Sequence, residues 1–170
     1  GDQLLIAADS VQLSADGRSR YEFRGWSDLG ALSHTYTAGA TVDTVVATFA
    51  PTYRLLVQVA NALPGAVTLT AAPAGADLAA GVFLAGGAAA TVTATAPAGT
   101  IFGGWTGDTT SYGASLTLPM AHPYTVTANF VSQVDVTVTA AANALLGTDT
   151  LSAAQRGYLD TRGNHNGAYD

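Results

Sequence analysis

Two tryptophans occur in this chain, and both stand in the same phrase. Phe23-Arg24-Gly25-Trp26-Ser27 is echoed by Phe102-Gly103-Gly104-Trp105-Thr106. The echo is longer than the phrase: residues 21–49 lie along residues 100–130. In each copy an aromatic strand runs into Gly-Trp and a polar turn. A Thr/Leu-rich strand and a second turn follow, then a strand ending Ala-x-Phe (Ala47-Thr48-Phe49, Ala128-Asn129-Phe130). A repeat of this size constrains the fold more than any other feature. The chain must build two like units, each near the lower size at which a core stabilises itself.

Local pattern says what the units are made of. Leu55–Ala60, Val67–Ala71, Thr91–Ala96, Ser115–Leu118, Thr125–Phe130 and Val134–Ala140 alternate apolar residues with polar ones, mostly Thr. That is the period of a half-buried strand. Gly, Pro and Asp punctuate the runs, and only Ser152–Leu159 reads as a helix, with Ser152 as its N-cap. The expected fold class is all-β: two tandem small β-domains, β-grasp-like or small sandwiches, plus a short C-terminal helix and loop. The expected organisation is an incomplete first repeat (1–51), a complete second repeat (52–132), an extra strand and linker (133–147), and a helix with its loop (148–170).

These repeats resemble the divergent internalin B-type repeats found in tandem on bacterial secreted and surface proteins. The resemblance implies a non-enzymatic structural or adhesive role and a bacterial extracellular or cell-surface location. It also makes Phe23, Trp26, Phe49, Phe102, Trp105 and Phe130 a core signature, with the Gly before each Trp letting a neighbouring strand pass close. The alternative for the tryptophans is an exposed platform for surface glycans, as in a carbohydrate-binding module.

The two copies are unequal. Before Trp105 the second has runs at Tyr53–Ala60, Val67–Ala71, Val82–Leu84 and Thr91–Ala96; before Tyr21 the first has only Leu4–Ala7 and Val11–Leu13. Gln3–Ser10 aligns best with Thr91–Ala98, which leaves the first copy about two strands short and its edge unpaired. Val134–Ala140 meanwhile stands where the first strand of a third copy would start. A strand short at one end and spare at the other fits head-to-tail filament assembly with copies of itself. Val134, Val136 and Val138 would be the donated plugs, and Leu4, Leu5 and Ile6 the acceptor edge. The alternative is a piece of a longer parent, acting as a passive spacer or accessory region of a secreted enzyme.

The tail Tyr158–Asp170 resembles half of a dockerin or EF-hand calcium loop, with Gly167 at the obligatory glycine position. That implies weak calcium ligation by Asn164, Asn166 and Asp170, with Asp160 standing in where the first acid belongs. The alternative is an Asn/Gly turn after a helix, and no other cofactor is expected.

Chemistry is otherwise sparse. The net charge of −6 and the absence of lysine argue against nucleic acid, which needs clustered cations. Charged residues make up 11%, against roughly 25% in an ordinary globular domain. No run approaches the roughly 20 apolar residues of a membrane helix, so membrane insertion is not expected. His34, His122 and His165 fall in separate segments, and cysteine is absent. Ser27, Asp28 and His34 are close enough in sequence to suggest a triad, but a polar turn after Trp26 explains them better. No catalytic residue is expected.

Overall fold

In the computed structural model the described residues are 1–40, 43–60, 66–70 and 76–167, with the backbone alone for 69 and 70. The strands in chain order are β1 (Gln3–Ala7), β2 (Val11–Leu13), β3 (Ser19–Trp26), β4 (Ser33–Thr37), β5 (Ala47–Ala60), β6 (Ala66–Thr70), β7 (Val82–Ala85), β8 (Ala89–Thr95), β9 (Thr100–Gly107), β10 (Ser115–Pro119) and β11 (Tyr124–Ser132). Helices α1 (Val138–Leu145) and α2 (Ala153–Arg162) follow. The chain is mostly strand with a short helical tail, as the alternation of Thr and Val requires.

Three sheets form. The largest runs β2-β3-β5-β11-β9 with β7 also paired to β5; the others are β10-β8-β6 and the pair β1-β4. The main core lies between the large sheet and β10-β8-β6. Leu55, Val57, Trp105, Val126, Ala128 and Phe130 enter it from one side, and Ala90, Val92, Ala94, Leu116 and Leu118 from the other. Alternate residues of each strand point inward, so β11 is buried at Tyr124, Val126, Ala128 and Phe130.

The two Gly-Trp phrases sit on matching antiparallel strand pairs. β3 pairs antiparallel with β5 and slips register between Phe23 and Gly25; β9 pairs antiparallel with β11 and slips between Phe102 and Gly104. Such a bulge adds one residue to the strand and re-aims the side chain after it. Here each Trp packs against the Phe three residues before it, and that Phe packs in turn against the Phe of Ala-x-Phe. Gly104 (φ 117) is needed there, because a Cβ would stand 2.9 Å from Tyr112 Cδ1 and 3.1 Å from Ser111 O. At Gly25 a Cβ would meet nothing within 4 Å. β1 pairs antiparallel with β4 as β8 pairs with β10; matching the inward residues of β4 and β10 lays Ile6 on Val92, two residues away from the sequence alignment, which lays Leu4 there.

Two features differ from expectation. The boundary after Pro51 falls inside β5, a single strand that closes the first unit with Phe49 and opens the second with Tyr53. The Arg54 N–H donates to Arg18 O, and the Ser27 N–H donates to Val46 O. Even-numbered main-chain groups of β5 therefore face β3, and the N–H that Pro51 lacks belongs to the opposite edge. Proline costs this ladder nothing.

The second difference is a correction. Val134–Ala140 is not a strand: 133–137 is irregular, and α1 begins at Val138. Thr137 caps it by accepting the Ala140 N–H (3.1 Å), and an alanine-rich run of good helix formers carries it on. α2 starts as the Ser152 signal requires, with Ser152 and Gln155 forming a reciprocal capping box.

Candidate functional site

The same aromatic arrangement is built twice and finished once. In the second unit Phe102 lies 5.4 Å from Trp105 and 5.6 Å from Phe130, centroid to centroid. In the first, Phe23 lies 5.7 Å from both Trp26 and Phe49. Trp105 and Phe130 are each 1% exposed, whereas Phe23, Trp26 and Phe49 are all only half-buried. Residues of the first unit are absent from the main core cluster. Core packing at the signature positions is thus complete around Trp105 and partial around Trp26.

What covers one triad and not the other is a matter of strands. β8 is paired on both edges, by β10 and β6, but β1 is paired by β4 alone among the described residues. Leu4 and Leu5 are exposed, Leu5 at 75%. β11 is likewise paired on both edges, with β9 antiparallel and with β5 parallel, Tyr124–Asn129 lying on Leu55–Ala60. The Ala-x-Phe alignment carries that parallel contact onto residues 43–48. There, the edge of β5 opposite β3 has no strand partner among the described residues until Pro51 O accepts the Gly86 N–H and β7 joins at Thr52. The main-chain groups of Val45, Ala47 and Phe49 face that edge. β11 is a strand from Tyr124, but β5 becomes one only at Ala47, the equivalent of Ala128.

Inward positions differ as well. Where β10 places buried Leu116 and Leu118, β4 places half-buried His34 and Tyr36. Each has a polar partner suited to a face that water reaches. His34 Nε2 meets Asp28 Oδ2 at 2.8 Å, and its Nδ1 meets Ala31 O at 2.8 Å. The bond from His34 holds the Asp28 carboxyl below its ordinary value, and Asp28 holds the imidazole above its own. The Tyr36 hydroxyl donates to Asp43, whose carboxylate raises the phenol. Trp26 Nε1 donates to Leu32 O, and His34 packs edge-on against the indole. Sequence reading brings Ser27, Asp28 and His34 together but misses their roles. Both imidazole nitrogens are taken by Asp28 and Ala31, and Ser27 Oγ accepts the Val46 N–H. No nucleophile–base pair results.

The tail folds onto the second unit. α2 packs against β11 and His165 stacks on Tyr112 at 3.8 Å, while within the tail Gln155 Nε2 donates to Asp135 O. Val134 and Val136 are half-buried, while Val138 is 87% exposed. Asp160 Oδ1 accepts the Gly167 N–H (2.7 Å), and Asn164 Oδ1 accepts the Asn166 N–H (3.2 Å). Asp160 therefore does reach across the loop to the glycine, while Asp170 lies outside the described residues. Among the described residues no group of three or more His, Cys, Asp or Glu could hold a metal ion. No described helix is long and apolar enough to cross a membrane.

The family model of the divergent InlB B-repeat domain matches residues 65–134, from just before β6 to just past β11. Repeats of that family occur in bacterial surface proteins. No curated protein and no solved structure matches the chain.

Proposed function

We propose that the chain is a non-catalytic structural module of a bacterial extracellular or surface protein, in which residues 1–51 are an incomplete copy of the matched repeat and serve as an acceptor for extended strands. The observation that carries this is the triad comparison. Phe23, Trp26 and Phe49 repeat the geometry of Phe102, Trp105 and Phe130 but stay half open, beside two strand edges that are unpaired among the described residues. Added strands gain main-chain hydrogen bonds along the edge and bury the apolar face behind it.

The second unit supplies a probe, a synthetic peptide of residues 53–70, which spans the two strands that the first unit lacks. With peptide added, the acrylamide-quenchable part of the tryptophan emission is expected to disappear. A Trp26→Phe chain is expected to have little quenchable emission to lose. Unchanged quenching at saturating peptide contradicts an acceptor role. A glycan platform is the second reading, favoured by the half-exposed Trp26 beside His34; it requires the same quenching to respond to sugars instead. Calcium at Asp160, Asn164, Asn166 and Asp170 is a separate proposal, tested by calorimetric titration.

A further inference from the structure

Among the described residues the first unit has no partners for two edges, and the chain carries a second copy of the segment that would supply them. Ala142-Asn143-Ala144-Leu145-Leu146-Gly147-Thr148-Asp149-Thr150-Leu151 repeats Ala60-Asn61-Ala62-Leu63-Pro64-Gly65-Ala66-Val67-Thr68-Leu69, with seven of ten residues identical. Upstream of this echo, with one residue inserted between, Val134, Val136 and Val138 align with Tyr53, Leu55 and Val57, when Ala128-x-Phe130 is laid on Ala47-x-Phe49. Leu55 and Val57 are core residues of the second unit. Residues 134–152 therefore hold the counterpart of β5's second half, the residues after it and β6, although here they fold as an irregular stretch and α1.

That helix is weakly held. It has eight residues, Ala144 is its only buried one, and Val138 and Thr139 at its start are β-branched. So short a helix is marginal without tertiary support. The exposed apolar residues of the chain also gather at its two ends: Leu4, Leu5, Val11, Leu13 and Val46 on the first unit, Val138, Leu145 and Leu146 on the tail.

Resting on the acceptor reading above, we infer that residues 134–152 are a latent strand pair that fills the first unit of a second copy of this chain. The register follows from the second unit. Leu55, Val57 and Val59 lie on Tyr124, Val126 and Ala128, which puts the partner copy's residues 136, 138 and 140 on Asp43, Val45 and Ala47, in parallel. Leu69 lies on Val92, and matching β4 to β10 by their inward residues puts the partner copy's residue 151 beside Ile6 on the free edge of β1. Each junction would repeat the one already inside the molecule, where β5 closes one unit and opens the next. The contact is heterologous and leaves both ends open, so it propagates into a filament.

The chain has no cysteine, so two introduced ones report the register. Chains carrying Val45→Cys and Val138→Cys are mixed under mild oxidation. Aligned neighbours on paired strands fall within disulfide reach. The mixed dimer is expected to form on the order of tenfold faster than with Val46→Cys in place of Val45→Cys, and to be suppressed by excess 53–70 peptide. Equal rates for the two positions, or no suppression, overturn the inference. Calorimetry of the 53–70 peptide on the unmodified chain separates the two levels. Peptide binding without the Val45–Val138 cross-link leaves the acceptor standing and removes the second copy as its donor. Neither binding nor cross-link removes both.

Discussion

At the scale of residues, equivalent positions in the two units are expected to respond unequally to the same change. Phe130 is fully enclosed, so Phe130→Ala should cost about 3–5 kcal/mol, as large-to-small substitutions of buried aromatics do. Phe49 occupies the same place in a half-open core, and Phe49→Ala should cost less than half as much; urea unfolding of the two variants checks the ratio. His34 and Asp28 make a pH-dependent pair. The imidazole is raised, so its contribution is full below the ordinary histidine value and fades as pH rises through the higher folded value. The carboxyl is lowered, so its contribution is present above the ordinary carboxylate value and fades as pH falls through the lower folded one. The pair is therefore strongest from about pH 4 to 6.5. Following the His34 ring signals by NMR should show titration above the ordinary histidine value, returning toward it in Asp28→Asn. The six signature aromatics were legible because Phe-x-Gly-Trp and Ala-x-Phe recur in the same order. The partial exposure of three of them was not, since exposure depends on strands that lie elsewhere in sequence.

At the scale of elements, strand content was legible from the alternation of apolar residues with Thr, but the pairing of β1 with β4 was not, because β2 and β3 lie between them in sequence. The fate of Val134–Ala140 was not legible either. Alternating Val and Thr suits a strand, and the same residues lead into a run of Ala, Asn and Leu that suits a helix. The choice falls to Thr137, whose hydroxyl caps α1. Thr137→Val removes the capping hydroxyl, at about 1 kcal/mol, while keeping the β-branch that suits a strand. If α1 is a latent strand, this change should raise the assembled fraction in sedimentation velocity at fixed concentration. A fall would count against strand donation. The continuity of β5 was hidden for a different reason. Pro51 reads as a breaker, and only the observed register shows that its missing N–H lies on the edge β3 does not use.

At the scale of the whole molecule, two units share one strand but not one quality of core. Arg18 adds a tie between them, reaching Asp108 at 3.3 Å and Thr125 Oγ1 at 3.2 Å. The pair is partly exposed, and pairs of that kind contribute little on their own. The shared strand is the stronger link, and it places an unpaired edge directly in line with a paired one. In native-state exchange, β1 and β4 should open at lower free energy than β8 and β10, because the core cluster has no member from the first unit. Exchange also gives the most direct test of the open acceptor, read at the amides of Val45, Ala47 and Phe49 in the 170-residue chain. Alone, these amides should exchange at nearly unprotected rates; with saturating 53–70 peptide they should slow by about a hundredfold or more. Amides already protected in the free chain, or unchanged by the peptide, would contradict an unfilled strand site in the first unit.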